Sequence, residues 1–555
     1  GDVDVMGVLA VDVQGQDKVF GIHNASGGKI DIMGITVINA NSESKTAQGI
    51  YSTGVNSSIV FKANTILTTN GANAVQADSG ATIIFDKGLV SENSAYIFAH
   101  GNNSSIKINN EGSGLVKIIG NLYAQAGGTL DFKMDNSESY LEGFTDGVNM
   151  DMQNGATWRV TGNSSSKNLN LENATVDLTA DGASSTVLAV ADYSGTGGSF
   201  IMDTDLASEA DGDKINITTA NAGTTYVQVK DASLVNGIEV TGNKNLLLIT
   251  DASENINFVG KNLNAGGLWD VTPTIENGLT VTDADGNVIG TADQWYLTKI
   301  AKAVNNDSQV LLDAVDNSYA LWRNTNDSLR KRLGELRFRT NATDGDGIWV
   351  RYTSGKFSGS GFDSSYNMYQ LGYDKADNAK STYGFAVDSG TGHANYASGG
   401  GKDKLTALSV YGTWTGEKGN YTDVVARVGQ FDTDVDSYGD YPDKASYKNR
   451  AYSLSVEYGK RIELSKERGT FIEPQAQLII GRLGSNSYIT DRGTAVAVEG
   501  MNSAIARLGV VAGKKINDGS DIYFKVSALH EFAGERDISM RAANGEVLAG
   551  SNDYG

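Results

Sequence analysis

From Gly347 to the end of the chain apolar and polar residues alternate, and that alternation decides what this sequence can become. In AYSLSVEYG, Tyr452, Leu454, Val456 and Tyr458 fall on one side and Ser453, Ser455 and Glu457 on the other. FIEPQAQL sets Ile472, Pro474, Ala476 and Leu478 against Glu473, Gln475 and Gln477, and DVVARVG sets Val424, Ala426 and Val428 against Asp423, Val425 and Arg427. A period of two means strands. Just upstream, YALWRNTNDSLRKRLGELR (residues 319–337) has the other period. Leu329, Leu333 and Leu336 stand at i, i+4 and i+7, while Arg323, Arg330, Lys331, Arg332 and Arg337 make the rest basic. A basic helix running into two-faced strands predicts a plug inside a polar-lined barrel, with the upstream chain as its cargo.

With Tyr and Trp near the strand ends, one apolar and one charged face match a barrel set in an outer membrane. No run of about 20 apolar residues offers a spanning helix, and a closed barrel is the other structure that satisfies its backbone in lipid. The charges expected on the lumen side are Arg351, Asp423, Arg427, Glu457, Glu473, Arg507 and Lys525, which would seat the cationic helix. A soluble sandwich would turn the apolar face into a dry core instead. It predicts fewer charges opposite that face and larger aromatics inward.

Residues 1–190 have another texture: runs of 4–6 residues punctuated by Gly and Asn, such as KIDIMGITVIN, ATIIFDKGLVS and SSIKIN. Each offers two or three inward side chains, Ile83 and Phe85 or Ile106 and Ile108, too few to bury a core alone. Stacked on neighbours they suffice, so the segment reads as a right-handed parallel β-helix of irregular repeat; a sandwich would need longer paired strands. From about Val187 the strands lengthen and the connections look like hairpins, with Asp285-Gly286 able to supply positive φ. Residues 191–297, carrying Trp269, Trp295 and Tyr296, are expected to cap the open end of the stack, which would otherwise aggregate.

Charge divides unevenly. Residues 1–297 hold 14 basic and 34 acidic side chains, a net of −20, and the remaining residues 31 and 32, a net of −1. An acidic elongated domain has no electrostatic reason to approach phosphates, so nucleic acid is disfavoured as a partner. Cys is absent, which excludes disulfides and thiolate metal sites and suits passage through an oxidising compartment. His23, His100, His393 and His530 are scattered, and no nucleophile elbow, Walker loop or metal-ligand spacing occurs. ADGDK and DADGN lack the full calcium-loop pattern and read as turns. SGGGKDK reads as a strand connection, and no RGD is present. No catalytic residue, metal or cofactor is expected.

Several stretches in order carry a resemblance: LWRNTNDSLRKRLGELR, GIWVRYTSGKF, STYGFAVDSG, YSLSVEYGKRIEL and GTFIEPQAQLIIGRL resemble the translocator of the monomeric autotransporters of type V secretion. Upstream, GATWRVTGNSS, FIMDTDLAS, GDKINIT and QWYLTKI resemble their pertactin-like passengers. The resemblance implies an all-β chain: a β-helix passenger (1–190), a cap (191–297), a linker and lumenal helix (298–338) and an antiparallel transmembrane barrel (339–555). Nine strands can be counted where the family has twelve, so the barrel is expected to be incomplete and the passenger to lack its N-terminal part. The implied setting is the bacterial outer membrane with the passenger at the cell surface. Implied partners are membrane lipid, the barrel-assembly machinery, periplasmic chaperones and a host or neighbouring-cell ligand. Some relatives cleave their passenger by Asn cyclisation four and three residues before a KR[ML]G motif. Here that position is Asp327-Ser328, which lacks the amide nucleophile, and Asn305-Asn306 is a weak substitute. The implied role is display of an adhesin-like or structural passenger; the alternative is the stalk of a secreted protease or esterase.

Overall fold

The computed structural model describes the chain apart from residues 183–184, 210–211, 241–243, 327, 337–345, 466 and 518–519 and the side chains of Lys331, Asn517 and Ser520. Contacts divide it into two compact units, residues 1–265 with 270–303, and residues 266–269 with 304–555.

The first unit is a coil of parallel strands. Sheets of 14 and 11 strands run along it and one of 6 strands joins them over the first half, successive strands of the chain going to successive sheets. Like stacks on like inside: Ile59 and Phe61 are in register with Ile83 and Phe85, and these with Ile106 and Ile108. The Phe61 and Phe85 rings are parallel at 4.7 Å and wholly buried. Each such ring contributes about 2–3 kcal/mol by leaving water, but only because a neighbouring rung covers it. Corners need left-handed backbone; Ser79-Gly80 and Asn154-Gly155 supply it with φ of 55° and 85°, and 54° and 85°. Outside, ion pairs link rung to rung, Lys62 to Asp86 at 2.6 Å and Arg159 to Glu142 at 3.4 Å.

Between residues 187 and 260 the expected hairpins are absent, whereas the one at Asp285-Gly286 is present, with Thr282 bridged antiparallel to Val288 and Gly286 at a φ of 86°. Strands Val187–Ser194, Lys214–Ala220 and Leu246–Asp251 still pair in parallel, as do Ser199–Thr204, Gly223–Asp231 and Ile256–Gly260. The coil has thinned from three sheets to two, because the six-stranded sheet ends at Thr145–Asp146. Antiparallel closure comes only afterwards, when Gln294–Val304 pairs back along Leu246–Asp251. Trp295 and Tyr296 lie opposite Ile249 and Leu247, and the Trp295 indole meets Phe258 edge-on at 5.4 Å. Trp269 opens the neighbouring strand of the same sheet, Trp269–Asn277, but by its contacts falls in the second unit. The DADGN turn is a turn: Asp283 accepts from the Asp285 and Asn287 backbone amides, both at 2.9 Å.

In the two-sheet region a group of carboxyls is trapped between strands. Asp213 accepts from the Thr186 and Asp203 amides at 2.7 and 2.6 Å, beside Asp203. Burial pushes Asp203 up to about 7 and Asp213 up to about 6, each further raised by neighbouring aspartates. A raised carboxyl binds its proton more tightly folded than unfolded, so its stabilisation is full near pH 4 and is lost as pH rises through 6–7. Asp203→Asn is therefore expected to protect this region most at pH 8 and least at pH 4, read as resistance to limited proteolysis at the two pH values.

The second unit is built on one antiparallel sheet of nine sequential strands, from Gly347–Gly359 to Ser520–Glu531, with the short strand Ile462–Ser465 added beside Thr470–Leu483. Its faces divide as the alternation predicts. Val350, Leu371, Val387, Val410, Leu454, Leu478 and Leu508 are exposed, while Asp388, Asp423, Glu457, Gln477 and Arg507 on the same strands or their neighbours are buried. Among the described residues no helix is long and apolar enough to cross a membrane.

Candidate functional site: a helix seated on the charged face of the sheet

The helix is longer than its sequence suggests, and it is broken. Asn306–Asn326 forms one segment and Arg330–Leu336 a second. Asn305 caps the first: its Oδ1 accepts from the Ser308 amide at 2.9 Å while its Nδ2 donates to the Gly267 carbonyl at 2.7 Å. Both ends of that amide are engaged. Leu329, Leu333 and Leu336 are buried together against Trp349, Ala386 and Tyr411 on the inner face of the sheet. Higher up, Tyr319, Leu321 and Trp322 pack on Met368, Leu405, Phe431, Ile479 and Ile505, drawn from strands across the width of the sheet. The sheet therefore curls around the helix.

The long segment is not cationic. It carries Asp307, Asp313 and Asp316 against Arg323 alone, which is half-buried in its last turn. Hydrogen bonds from neutral donors hold this part: Asn317 donates to Asp403 at 3.1 Å and Ser364 to Asn317 at 2.5 Å, while Tyr319 donates to Glu531 at 3.1 Å. Charge takes over at the break. The Arg427 guanidinium ion-pairs with Asp388 at 2.9 Å and donates to the Thr325 carbonyl. Arg332 donates from Nε to Asp374 at 3.0 Å, lies 5.4 Å over the Trp349 ring, and meets Glu335 at 3.2 Å. Glu335 in turn pairs with Arg351. Arg330 shares a cleft with Asp423, Glu457 and Gln477. The Lys331 side chain and Arg337 lie outside the described residues.

Part of the predicted lumen set serves the wall rather than the helix. Arg507 reaches Glu457 at 2.5 Å and Gln477 at 2.7 Å, and Tyr421 donates to Glu457 and Glu473 at 2.9 and 3.0 Å. Thr413 donates to Asp423 at 2.6 Å. Lys525 is half-buried on the last strand, opposite Val511. The sequence reading missed Asp374, Asp388, Asp403 and Glu531. Parity exposes the first two: Gln370, Gly372 and Asp374 oppose Leu371 and Tyr373, and Ala386 and Asp388 oppose Val387.

Glycines make room for the anchor. Tyr411 lies directly across from Gly384, and Trp349 across from Gly372. A Cβ on Gly384 would come within 2.4 Å of the Tyr411 ring. Tyr411 donates to Asp374 and accepts from the Trp349 indole at 2.9 Å, so ring, carboxylate and Arg332 form one assembly. Gly384→Val is expected to cost about 1–3 kcal/mol by overpacking. The folded, heat-modifiable band on semi-native gels would be lost at lower temperature, and adding Tyr411→Ala would restore part of it.

At the other end of the helix a second sheet, strands Asn486–Ile489, Ala495–Val498, Glu535–Arg541 and Val547–Asp553, closes over Val310, Leu311, Ala314 and Leu268. Asp307 accepts from the Gly439 and Tyr441 amides at 2.8 and 2.9 Å. Glu546 accepts from the Leu268 amide at 2.6 Å and the Trp269 amide at 3.3 Å, and the Trp269 indole donates to the Val547 carbonyl at 3.1 Å. Trp269 is thus a fastening of this unit.

Comparison with known proteins agrees with this geometry. The Autotransporter beta-domain family matches residues 343–554, and the Pertactin family matches residues 166–298. The chain belongs to the autotransporters. Its passenger is pertactin-like, and its β-domain is of the outer-membrane kind. The Pertactin autotransporter of Bordetella parapertussis is 32% identical over 234 residues, 39% of this chain and 24% of the relative. The BrkA autotransporter of Bordetella pertussis is 26% identical over 424 residues, 72% of this chain and 39% of the relative. The serine protease Pet autotransporter of Escherichia coli O44:H18 is 26% identical over 411 residues, 71% of this chain and 29% of the relative. This autotransporter chain thus spans well under half the length of these relatives. The solved β-domain of the Bordetella autotransporter BrkA is 24% identical, covering 38% of this chain and 94% of that one, with a TM-score of 0.32.

Proposed function

We propose that this autotransporter carries its own β-helix to the bacterial surface and holds it there, and that the passenger is adhesin-like or structural. One observation carries the reading: a helix seated by Arg427 and Arg332 on the buried polar face of a sheet whose other face is exposed and apolar. Arg323, Arg330, Lys331, Arg332 and Arg337 act as the plug, and the wall charges receive it. Rungs folding outside, starting from the closure that holds Trp295 and Tyr296, bias the threaded chain outward without nucleotide hydrolysis. Membrane lipid covers the apolar face, the assembly machinery and periplasmic chaperones deliver the barrel, and a host or neighbouring cell supplies the ligand. The test is protease added to intact cells expressing the protein. Digestion of residues 1–297 with protection of the β-domain supports display; digestion only after lysis refutes it.

A second reading has support in the match to serine protease relatives: the chain is the stalk and translocator of a secreted protease. Proteolytic activity in the medium of cells expressing the full reading frame, lost on mutation of a serine outside residues 1–555, would favour it.

A further inference from the structure

The six-stranded sheet of the coil differs from the longest sheet in what it presents outward, and it is denser in rings than the 11-stranded one, whose ladder Lys117, Tyr140, Thr157, Thr175, Ser199 and Tyr226 holds two. Its outward ladder, in register from strand to strand, is His23, Tyr51, Gln76, Phe98, Tyr123 and Asp146. Four of these six positions are rings, and none is fully buried. The corresponding ladder on the longest sheet runs Lys107, Asp131, Asn149, Asn168 and Asp192, with no ring in it. Strand propensity alone would put aromatics on both, since both are strands with one wet face.

The rings form two groups. Phe20, His23 and Tyr51 lie nearly parallel, with centroids 4.7–5.7 Å apart. Tyr96 and Phe98 stand two strands beyond Tyr51, and on the third Tyr123 stands edge-to-face with Tyr96, Phe98 and Phe144 at 5.4, 5.8 and 5.5 Å. Between them is an amide rung: Gln76 Oε1 accepts from Gln48 and Asn73, both at 2.9 Å. Flanking the second group, Gln125 donates to Asp146 at 2.6 Å and His100 lies 3.3 Å from Asp78. Tyr51 and Phe98 are two strand spacings apart, roughly 10 Å, which is the length of one disaccharide in an extended polymer.

We propose that this face binds an uncharged, pyranose-based glycan chain laid along the coil. Aromatic rings offer a hydrophobic, electron-rich surface to the axial C–H groups of a sugar, and amides and carboxylates set between them pair with vicinal hydroxyls. A peptide strand is a poor fit, because the outward face of a paired sheet offers no free backbone edge. A polyanionic glycan is a poor fit too, because Asp78 and Asp146 stand on the face and residues 1–297 carry a net charge of −20. The proposal deepens the adhesin-like reading and rests on it for its biological setting, but the binding itself is measured on purified protein and needs no display.

The experiment titrates the full chain in detergent micelles with cellopentaose, chitopentaose and laminaripentaose, and with a heparin hexasaccharide as the anionic counterpart. Saturable binding of at least one neutral pentaose is expected, with heparin silent. Phe98→Leu and Tyr123→Leu, which keep bulk and lose the π face, should each weaken it roughly tenfold. Tyr123→Trp should retain binding, and Asn149→Ala with Asn168→Ala on the other face should not change it. Unaltered trypsin resistance of each leucine variant verifies its fold. Silence of all three neutral sugars, heparin as the sole ligand, or leucine variants that bind as the parent does would each overturn the proposal. Failure of surface display with intact glycan binding would instead remove the proposed function and leave this site standing.

Discussion

Arg427→Ala should unseat the helix and cost about 3–5 kcal/mol, the usual penalty for removing one partner of a buried ion pair. The residue is 8% exposed and Asp388 is wholly buried, so the variant leaves an uncompensated carboxylate against the helix. It also strips the donor from the Thr325 carbonyl, at the point where the helix breaks and needs one. The pair itself contributes little net stability, because desolvating both charges offsets most of their attraction. The discriminating control follows from that: Arg427→Met with Asp388→Asn should recover much of the loss. The measurement is the temperature at which the heat-modifiable band disappears, together with protease sensitivity of residues 306–336. A single alanine variant as heat-stable as the parent would show that Arg427 does not seat the helix.

The second large effect is expected at the end of the coil. Trp295→Ala with Tyr296→Ala removes two large side chains from the strand that closes the stack, Tyr296 being 8% exposed. Large-to-small changes of this kind cost about 3–5 kcal/mol at a fully buried aromatic, and somewhat less is expected here because Trp295 is half-exposed. The loss should stay local, since each rung touches only its neighbours. Hydrogen exchange should speed up over residues 246–304 while residues 58–134 keep their protection. If the proposed order of folding holds, surface display of the passenger slows with no change in the amount of β-domain inserted. Display at the parent's rate in a variant with the exchange defect would separate closure of the coil from secretion.

Much of this was legible because period two and period 3.6 are local signals. Ile83, Phe85, Ile106 and Ile108 point inward as alternation requires, and so do Glu457, Gln475 and Gln477. What was not legible is pairing. A thin parallel coil and a run of hairpins look alike along the chain between Val187 and Gly260, because the same alternating strands and short turns serve both; only the partner strand differs. The further bonds of Trp269 were hidden for the same reason: the carboxylate that receives its amide lies 277 residues away. The start of the helix was hidden by its own fit. A segment enclosed by a curled sheet carries small residues, Ser308 and Ala314, and buried acids, Asp307 and Asp313, so AKAVNNDSQVLLDAVDN reads as a polar linker turning helical. The Asn305 side chain, weak as a cleavage nucleophile by position, is occupied as a helix cap.

The register of the coil also sets how such a passenger can change in size over generations. Phe61 pairs with Phe85, 24 residues on, and Phe132 with Met150, 18 residues on, yet both steps present the next inward side chain at the same place. Turns absorb the difference. A duplication or deletion that removes or adds one complete circuit would leave every interior stack intact, whereas a change of a few residues inside a strand would turn its greasy side outward. Lineages sharing this architecture should therefore differ in extent by whole circuits, with small insertions confined to the corners.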